Sequence, residues 1–217
     1  MSAKLQYRPD SFLLLSLVLE ILLNPVLDHG GWRRLVLSAL LFIPVILSTI
    51  RLSQIKVPMW PVVLLILGAV VFTVASNIFA NRVTYGIRWG FLAAFFALTA
   101  ARLFVHLQNS RSISRADLYN AVNIYLLLGA TWAALYGVME ALQPGSFQLG
   151  SQLTDRQSDF IYFSLVTLST VGYGDIVAIT GEARMLAALE GVAGVLYLAI
   201  TVAILVSGYR RGSSDSA

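Results

Sequence analysis

The sequence predicts an all-α integral membrane protein of six transmembrane helices, with a short re-entrant helix and a glycine-rich loop between the fifth and the sixth. Three observations predict it. Of the 217 residues 58% are apolar and 12% charged, with a mean hydropathy of +0.77, far from the balance of a soluble domain. Six apolar stretches approach the length of about 20 residues that a helix needs to cross a bilayer. One further apolar run, Asp159 to Ser169, is too short to cross and stops at Thr170-Val171-Gly172-Tyr173-Gly174-Asp175.

The remaining composition excludes several classes of function. The net charge of +4 comes from 15 Lys and Arg scattered between the apolar runs, which suits membrane flanks and argues against a nucleic-acid partner. With no cysteine there is no disulfide framework, thiolate metal site or cysteine nucleophile. No catalytic constellation is found, so the chain is not read as an enzyme. The first apolar run follows Lys4 and Arg8 and has the length of a signal-peptide core. The residues after it, Asp28-His29-Gly30-Gly31-Trp32, lack a small-x-small cleavage site, and the run is therefore read as a span.

The six expected spans are 10–27, 32–50, 58–79, 85–106, 117–142 and 184–208. The first carries Glu20, Asn24 and Pro25 and the second Pro44, which leaves a re-entrant or tilted hairpin as the alternative there. Residues 1–116 form a four-helix scaffold, 117–209 a second domain and 210–217 a short tail. Gln143-Pro144-Gly145 ends the fifth helix, and a polar stretch from Gln148 to Ser158 follows. The apolar run from Asp159 to Ser169 then makes about 16 Å of helix, against a hydrocarbon core of about 30 Å. It must dip into the membrane and return. Backbone that is not helical at membrane depth is tolerated only where it is buried in protein or lines a water-filled path. With six spans both termini share a side, and Lys4, Arg8, Arg51, Lys56, Arg102, Arg111, Arg115, Arg210 and Arg211 fall on it. The excess of positive charge makes that side cytoplasmic and the location the plasma (inner) membrane.

The loop after the short helix carries the chemistry. An ion that sheds its water needs oxygen ligands in several layers, without a fixed charge strong enough to trap it, and stacked rings of backbone carbonyls provide them. Successive carbonyls reach one axis only if the backbone visits conformations that a β-carbon resists, which accounts for Gly172 and Gly174 on either side of Tyr173. The oxygens come from the Thr170 hydroxyl and from the carbonyls of Thr170, Val171, Gly172 and Tyr173. Thr-Val-Gly-Tyr-Gly-Asp in this setting resembles the selectivity filter of the potassium channel superfamily.

The resemblance covers Asp117 to the C-terminus, which looks like the outer helix, pore helix, filter and inner helix of that superfamily. It implies passive, K+-selective conduction, with K+ as permeant ion. A pore lined by four equivalent strands implies a homotetramer in contact with lipid. By the register of the resemblance Gly194 is a gating hinge, with close helix packing as the alternative, and Val195, Leu198 and Val202 line a central cavity. The aromatic pair that braces the filter in similar channels corresponds to Tyr162 and Phe163, with a hydrogen bond from Tyr162 to Asp175 as one expectation and a seat of Tyr162 in an interfacial belt as the alternative. The buried glutamate that some bacterial channels place behind the filter is replaced by Val166. Glu190, one turn before Gly194, is expected to bond pore-helix hydroxyls such as Ser164 or Thr167 and brace the filter, or else to be a protonated or water-bridged packing residue.

Six spans also resemble a voltage-gated channel, yet the fourth offers only Arg88 and Arg102. A sensor needs several basic residues at three-residue spacing, so the protein is expected to be voltage-insensitive. The inner helix has Thr201-Val202-Ala203 in place of the Pro-Val-Pro kink of those channels. Two other classes remain open: a non-conducting regulatory subunit of another channel, and an ion-coupled K+ uptake component.

Overall fold

The structure, a computed structural model, describes residues 11–27, 60–79, 81–110, 113–149 and 157–214, with side chains placed in these segments except at 26–27, 149 and 208–214. Helix α1, Ser11–Leu27, runs for 17 residues. Leu13, Leu17, Glu20 and Asn24 recur along it at three- and four-residue intervals and are its buried positions, a single stripe in the sense of helical periodicity. That stripe faces α4 (Arg115–Leu142) and α5 (Gln157–Leu168), whereas Phe12, Leu15 and Leu22 stay exposed.

Helix α2, Trp60–Phe79, packs on α3, Arg82–Gln108. The rings of Phe72 and Phe91 stack at 5.6 Å. Helix α3 starts where the Asn81 side chain accepts the Val83 N–H at 3.1 Å, and α4 starts with a capping box in which Asp117 Oδ2 accepts the Ser114 N–H at 2.8 Å. Both caps satisfy donors that the first helical turn leaves free.

The largest interface joins α3 to α4. Leu92, Phe96, Ala100 and Leu103 are buried along α3, and Ile124, Leu127, Ala134 and Tyr136 along α4. Trp89 lies flat against Gly137, occupying the space a β-carbon there would need. Helix α6, Gly181–Ser214, closes the bundle against α4 and α5, with Ala183, Glu190, Gly194, Tyr197 and Thr201 on its buried face.

Among the described residues four helices, α2, α3, α4 and α6, are long and apolar enough to cross a membrane. Their bounds fall within a few residues of the expected third to sixth spans, except that α6 continues to Ser214. The expected second span, 32–50, lies outside the described residues.

The fold is all-α, as expected, with one short β ribbon that was not foreseen from sequence. Strand β1, Phe147–Leu149, pairs antiparallel with β2, Ile176–Ala178, in the register Phe147 to Ala178, Gln148 to Val177 and Leu149 to Ile176. The Ile179 N–H adds a bond of 2.8 Å to the Ser146 carbonyl. Burial of Phe147 draws the segment in. Its ring, 2% exposed, meets those of Tyr136, Phe160 and Phe163 at 5.2, 5.6 and 5.6 Å, distances at which aromatic pairs attract beyond simple area burial. Trp89 meets Phe160 edge-on at 6.0 Å and joins α3 to the same cluster.

The Trp89–Gly137 contact leaves no room for a side chain, and overpacking of this kind costs about 1–3 kcal/mol. Gly137→Ala should therefore lower the midpoint of thermal unfolding in detergent, with part of the loss recovered in the double variant Gly137→Ala with Trp89→Leu. A Gly137→Ala protein as stable as the wild type would show that the two helices are not closely apposed.

Candidate functional site

Helix α5 has 12 residues, about 18 Å of length, and is gripped by α4 on one side and α6 on the other. Phe160, Ile161, Phe163, Ser164 and Leu168 are buried. At its end the chain does not leave as an ordinary turn. The Thr170 N–H returns to the Thr167 carbonyl at 2.9 Å, and the N–H groups of Val171 and Gly172 both return to the Val166 carbonyl, at 3.0 and 3.3 Å. Among the described residues no backbone N–H bonds to the carbonyls of Thr170, Val171, Gly172 or Tyr173.

The backbone dihedrals explain this one-sidedness. Thr170, Gly172 and Gly174 have φ of +60°, +58° and +79°, while Val171 and Tyr173 are not left-handed. Left-handed residues alternating with right-handed ones gather successive N–H groups on one side, which leaves the carbonyls to the other. Two of the three positions are glycines, for which positive φ carries no β-carbon penalty. Thr170 is β-branched, and its left-handed conformation is strained. Such strain concentrates at functional segments.

Beyond the loop Asp175 is held twice, by the Tyr162 hydroxyl donating to Oδ2 at 2.8 Å and by the Ile176 N–H donating to Oδ1 at 3.1 Å. The bond to Asp175 raises the Tyr162 phenol above its ordinary value. Phe163, the other member of the expected pair, points away from the loop into the Phe147 and Tyr136 cluster. The two aromatics thus act in opposite directions, one on the loop exit and one on α4 and β1. A cavity of about 370 Å³ lies between α1, α5 and the loop, lined in part by Asn24, Tyr162, Val166 and Val171.

Glu190 is fully buried. Its Oε2 accepts from the Tyr136 hydroxyl and its Oε1 lies against the Ser164 hydroxyl, which also reaches the Gly129 carbonyl at 2.7 Å. Of the two expected hydroxyl partners, Ser164 is the one engaged. At Gly194 a β-carbon would collide with the Leu168 carbonyl at the end of α5, and α6 is helical through this point. Val195, Leu198 and Val202 share a face of α6 that is more than half exposed in the single chain. Arg88 is buried, its guanidinium 4.4 Å from the Trp89 ring centroid and 5.7 Å from that of Tyr85, and Arg102 lies fourteen positions further along α3.

Three features were not expected from sequence. Tyr136 reaches Glu190 across 54 positions, and Tyr197 donates from α6 to the Ala121 carbonyl of α4 at 2.6 Å. Glu140 accepts the N–H groups of Gly145 at 2.7 Å and Phe147 at 3.3 Å, fixing the start of β1. Its position next to Pro144-Gly145 was the available signal for that last contact.

Residues 124–210, less than half of the chain, match a family model described as an ion channel. The chain is 32% identical over 92 residues to the inward rectifier potassium channel Kirbac3.1 of Paramagnetospirillum magnetotacticum, covering 41% of this chain and 28% of that protein. It is 35% identical over 79 residues to two pore potassium channel a of Oryza sativa subsp. japonica, covering 36% of this chain and 20% of that one. The chain therefore spans less than a third of the length of these curated relatives. No solved structure matches it significantly. Its apolar helices and this similarity make it a multi-pass membrane protein whose C-terminal part, from Ile124 onward, is similar to ion channels.

Proposed function

We propose that the chain is one subunit of a potassium-selective channel in which four copies surround a single pore. The observation that carries this reading is the loop Thr170–Asp175, with left-handed φ at every second residue, N–H groups tied back to α5, and four carbonyls left without backbone donors. Four such strands about one axis would stack rings of oxygen that replace the hydration shell of K+, and Thr170 Oγ1 adds a hydroxyl ring at the inner end. The carbonyl end of α5 aims the negative pole of a helix dipole toward the inner vestibule. Val195, Leu198 and Val202 would give that vestibule an apolar wall. Bending at Gly194 would shift the Leu168 carbonyl with it, linking inner-helix movement to the base of the filter.

In this reading six spans put both termini in the cytoplasm, and the membrane is the plasma (inner) membrane. Purified protein in liposomes should pass K+ and Rb+ well and Na+ poorly, with Ba2+ blocking at the inner filter site. Gly172→Ala, which places a β-carbon on a left-handed residue at a cost of roughly 1–2 kcal/mol, should abolish or deselect the flux. Equal Na+ and K+ permeability in the wild type would overturn the assignment, and protein that never conducts alone would favour a non-conducting regulatory subunit.

Assembly is tested separately, because a single chain supplies only one strand of the filter. Native mass measurement in detergent should give four chains, and cross-linking should saturate at four. A monomer that carries current would sink the proposal.

Voltage dependence should be weak. Moving one charge through the whole field is worth about 2.3 kcal/mol per 100 mV, and Arg88, packed on Trp89 in the second turn of α3, is poorly placed to traverse it. The double variant Arg88→Gln with Arg102→Gln, checked for intact assembly by size-exclusion chromatography, should leave the voltage dependence of bilayer currents nearly unchanged. A steep activation curve that flattens in this variant would show that the helices before α4 work as a sensor.

A further inference from the structure

The junction behind the filter loop contains more hydrogen-bonding reach than an ionised glutamate can use. Ser164 has one hydroxyl proton, and its Oγ lies within bonding distance of two oxygens, the Gly129 carbonyl at 2.7 Å and Glu190 Oε1. The carbonyl can only accept. If Ser164 gave its proton to an ionised Glu190, Oγ and the Gly129 oxygen would face each other at 2.7 Å with no hydrogen between them. If Ser164 gives its proton to Gly129, Oε1 must carry a proton of its own to donate to Oγ. Tyr136 donates to the other oxygen, Oε2, and every group is then used once.

The surroundings agree with this count. Glu190 is fully buried, and α4 presents it with Tyr136 and Tyr125, α5 with Ser164. No Lys, Arg or other carboxylate among the described residues acts on it. A buried carboxylate without a cation carries the full cost of desolvation, whereas a neutral acid in a completed chain does not.

We propose that Glu190 is a protonated carboxylic acid, and that its proton completes a chain from the Tyr136 hydroxyl through Glu190 and Ser164 to the Gly129 carbonyl, clamping α6 to α4 and α5 behind the filter. Glu190 is thus a positioning residue that acts through the seat of α5. When hydroxide removes the proton as water, the Ser164 hydrogen turns to the new carboxylate and its link to Gly129 is lost, so α5 loosens from α4 in alkali. The proton assignment stands on geometry alone, and only its effect on conduction rests on the channel reading above.

The test uses the full-length protein in detergent and in liposomes. At neutral pH its infrared spectrum should contain the carbonyl-stretch band of a protonated carboxyl that is missing in Glu190→Gln, and Tyr136→Phe and Ser164→Ala should each shift that band. Alkaline titration of the wild type should bleach the band in parallel with a loss of thermal stability. Glu190→Gln, whose amide can donate to Ser164 and accept from Tyr136, should keep neutral-pH stability and lose that alkaline fall, while Glu190→Ala should be destabilised at every pH. Absence of a Glu190-dependent band at neutral pH, in the wild type or in the two partner variants, would overturn the proposal. So would a Glu190→Gln protein as unstable as Glu190→Ala. If the band and stability behave as stated while no variant passes K+, the channel reading fails and the proton assignment stands.

Discussion

In hydrocarbon no water is available to an unpaired peptide group, so every N–H and C=O at that depth must find a partner in the protein or face a cavity. Helix α5 meets this constraint unevenly. Its last carbonyls, at Val166 and Thr167, receive the N–H groups of Thr170, Val171 and Gly172, which satisfies the donors of the loop and leaves its acceptors without backbone partners. The handedness of the residues after α5 and the direction of the loop oxygens go with that allocation. The rest of the bundle serves to hold α5 still while it does this.

Three grips do the holding, and each uses a different kind of interaction. On the scaffold side Phe160 and Phe163 sink into the cluster of Trp89, Tyr136 and Phe147, where contact area and ring geometry set the fit. On the α6 side the absence of a side chain at Gly194 allows close approach to the Leu168 carbonyl. Between them Ser164 ties α5 to both neighbours through polar bonds. Past the loop, the β1–β2 ribbon and the Tyr162–Asp175 bond close the structure from the other end.

Much of this was legible before any coordinates. A run from Asp159 to Ser169 is too short to cross a bilayer, and its abrupt stop at Gly172 and Gly174 pointed to a short helix followed by left-handed backbone. The bond from Tyr162 to Asp175 was one of two readings that the resemblance to potassium channels left open, and it is the one formed. What could not be read were pairings whose partners are set by the rotation of one helix against another. Tyr136 stands 54 positions from Glu190, and no local spacing encodes that meeting. The two strands escaped notice because three residues cannot display an alternating pattern, and Phe147 looked like one apolar residue beside a polar stretch. Gly194 admitted two readings from sequence, and the contact with Leu168 supplies a packing reason for its lack of a side chain.

Helix α1 presents Glu20 and Asn24 on the stripe that packs against α4 and α5, and this bears on how the chain enters the membrane. During synthesis α1 emerges before α4 and α5, carrying a carboxyl and an amide that lipid cannot solvate on a helix of only 17 residues. The surfaces that bury those groups belong to segments made roughly a hundred residues later, at about 5–20 residues per second. Through that delay α1 is a poor tenant of the bilayer on its own, held near the interface or by the insertion machinery. Helix α1 is thus translated well before the surfaces it needs, and its final seating waits on the folding of the part that follows.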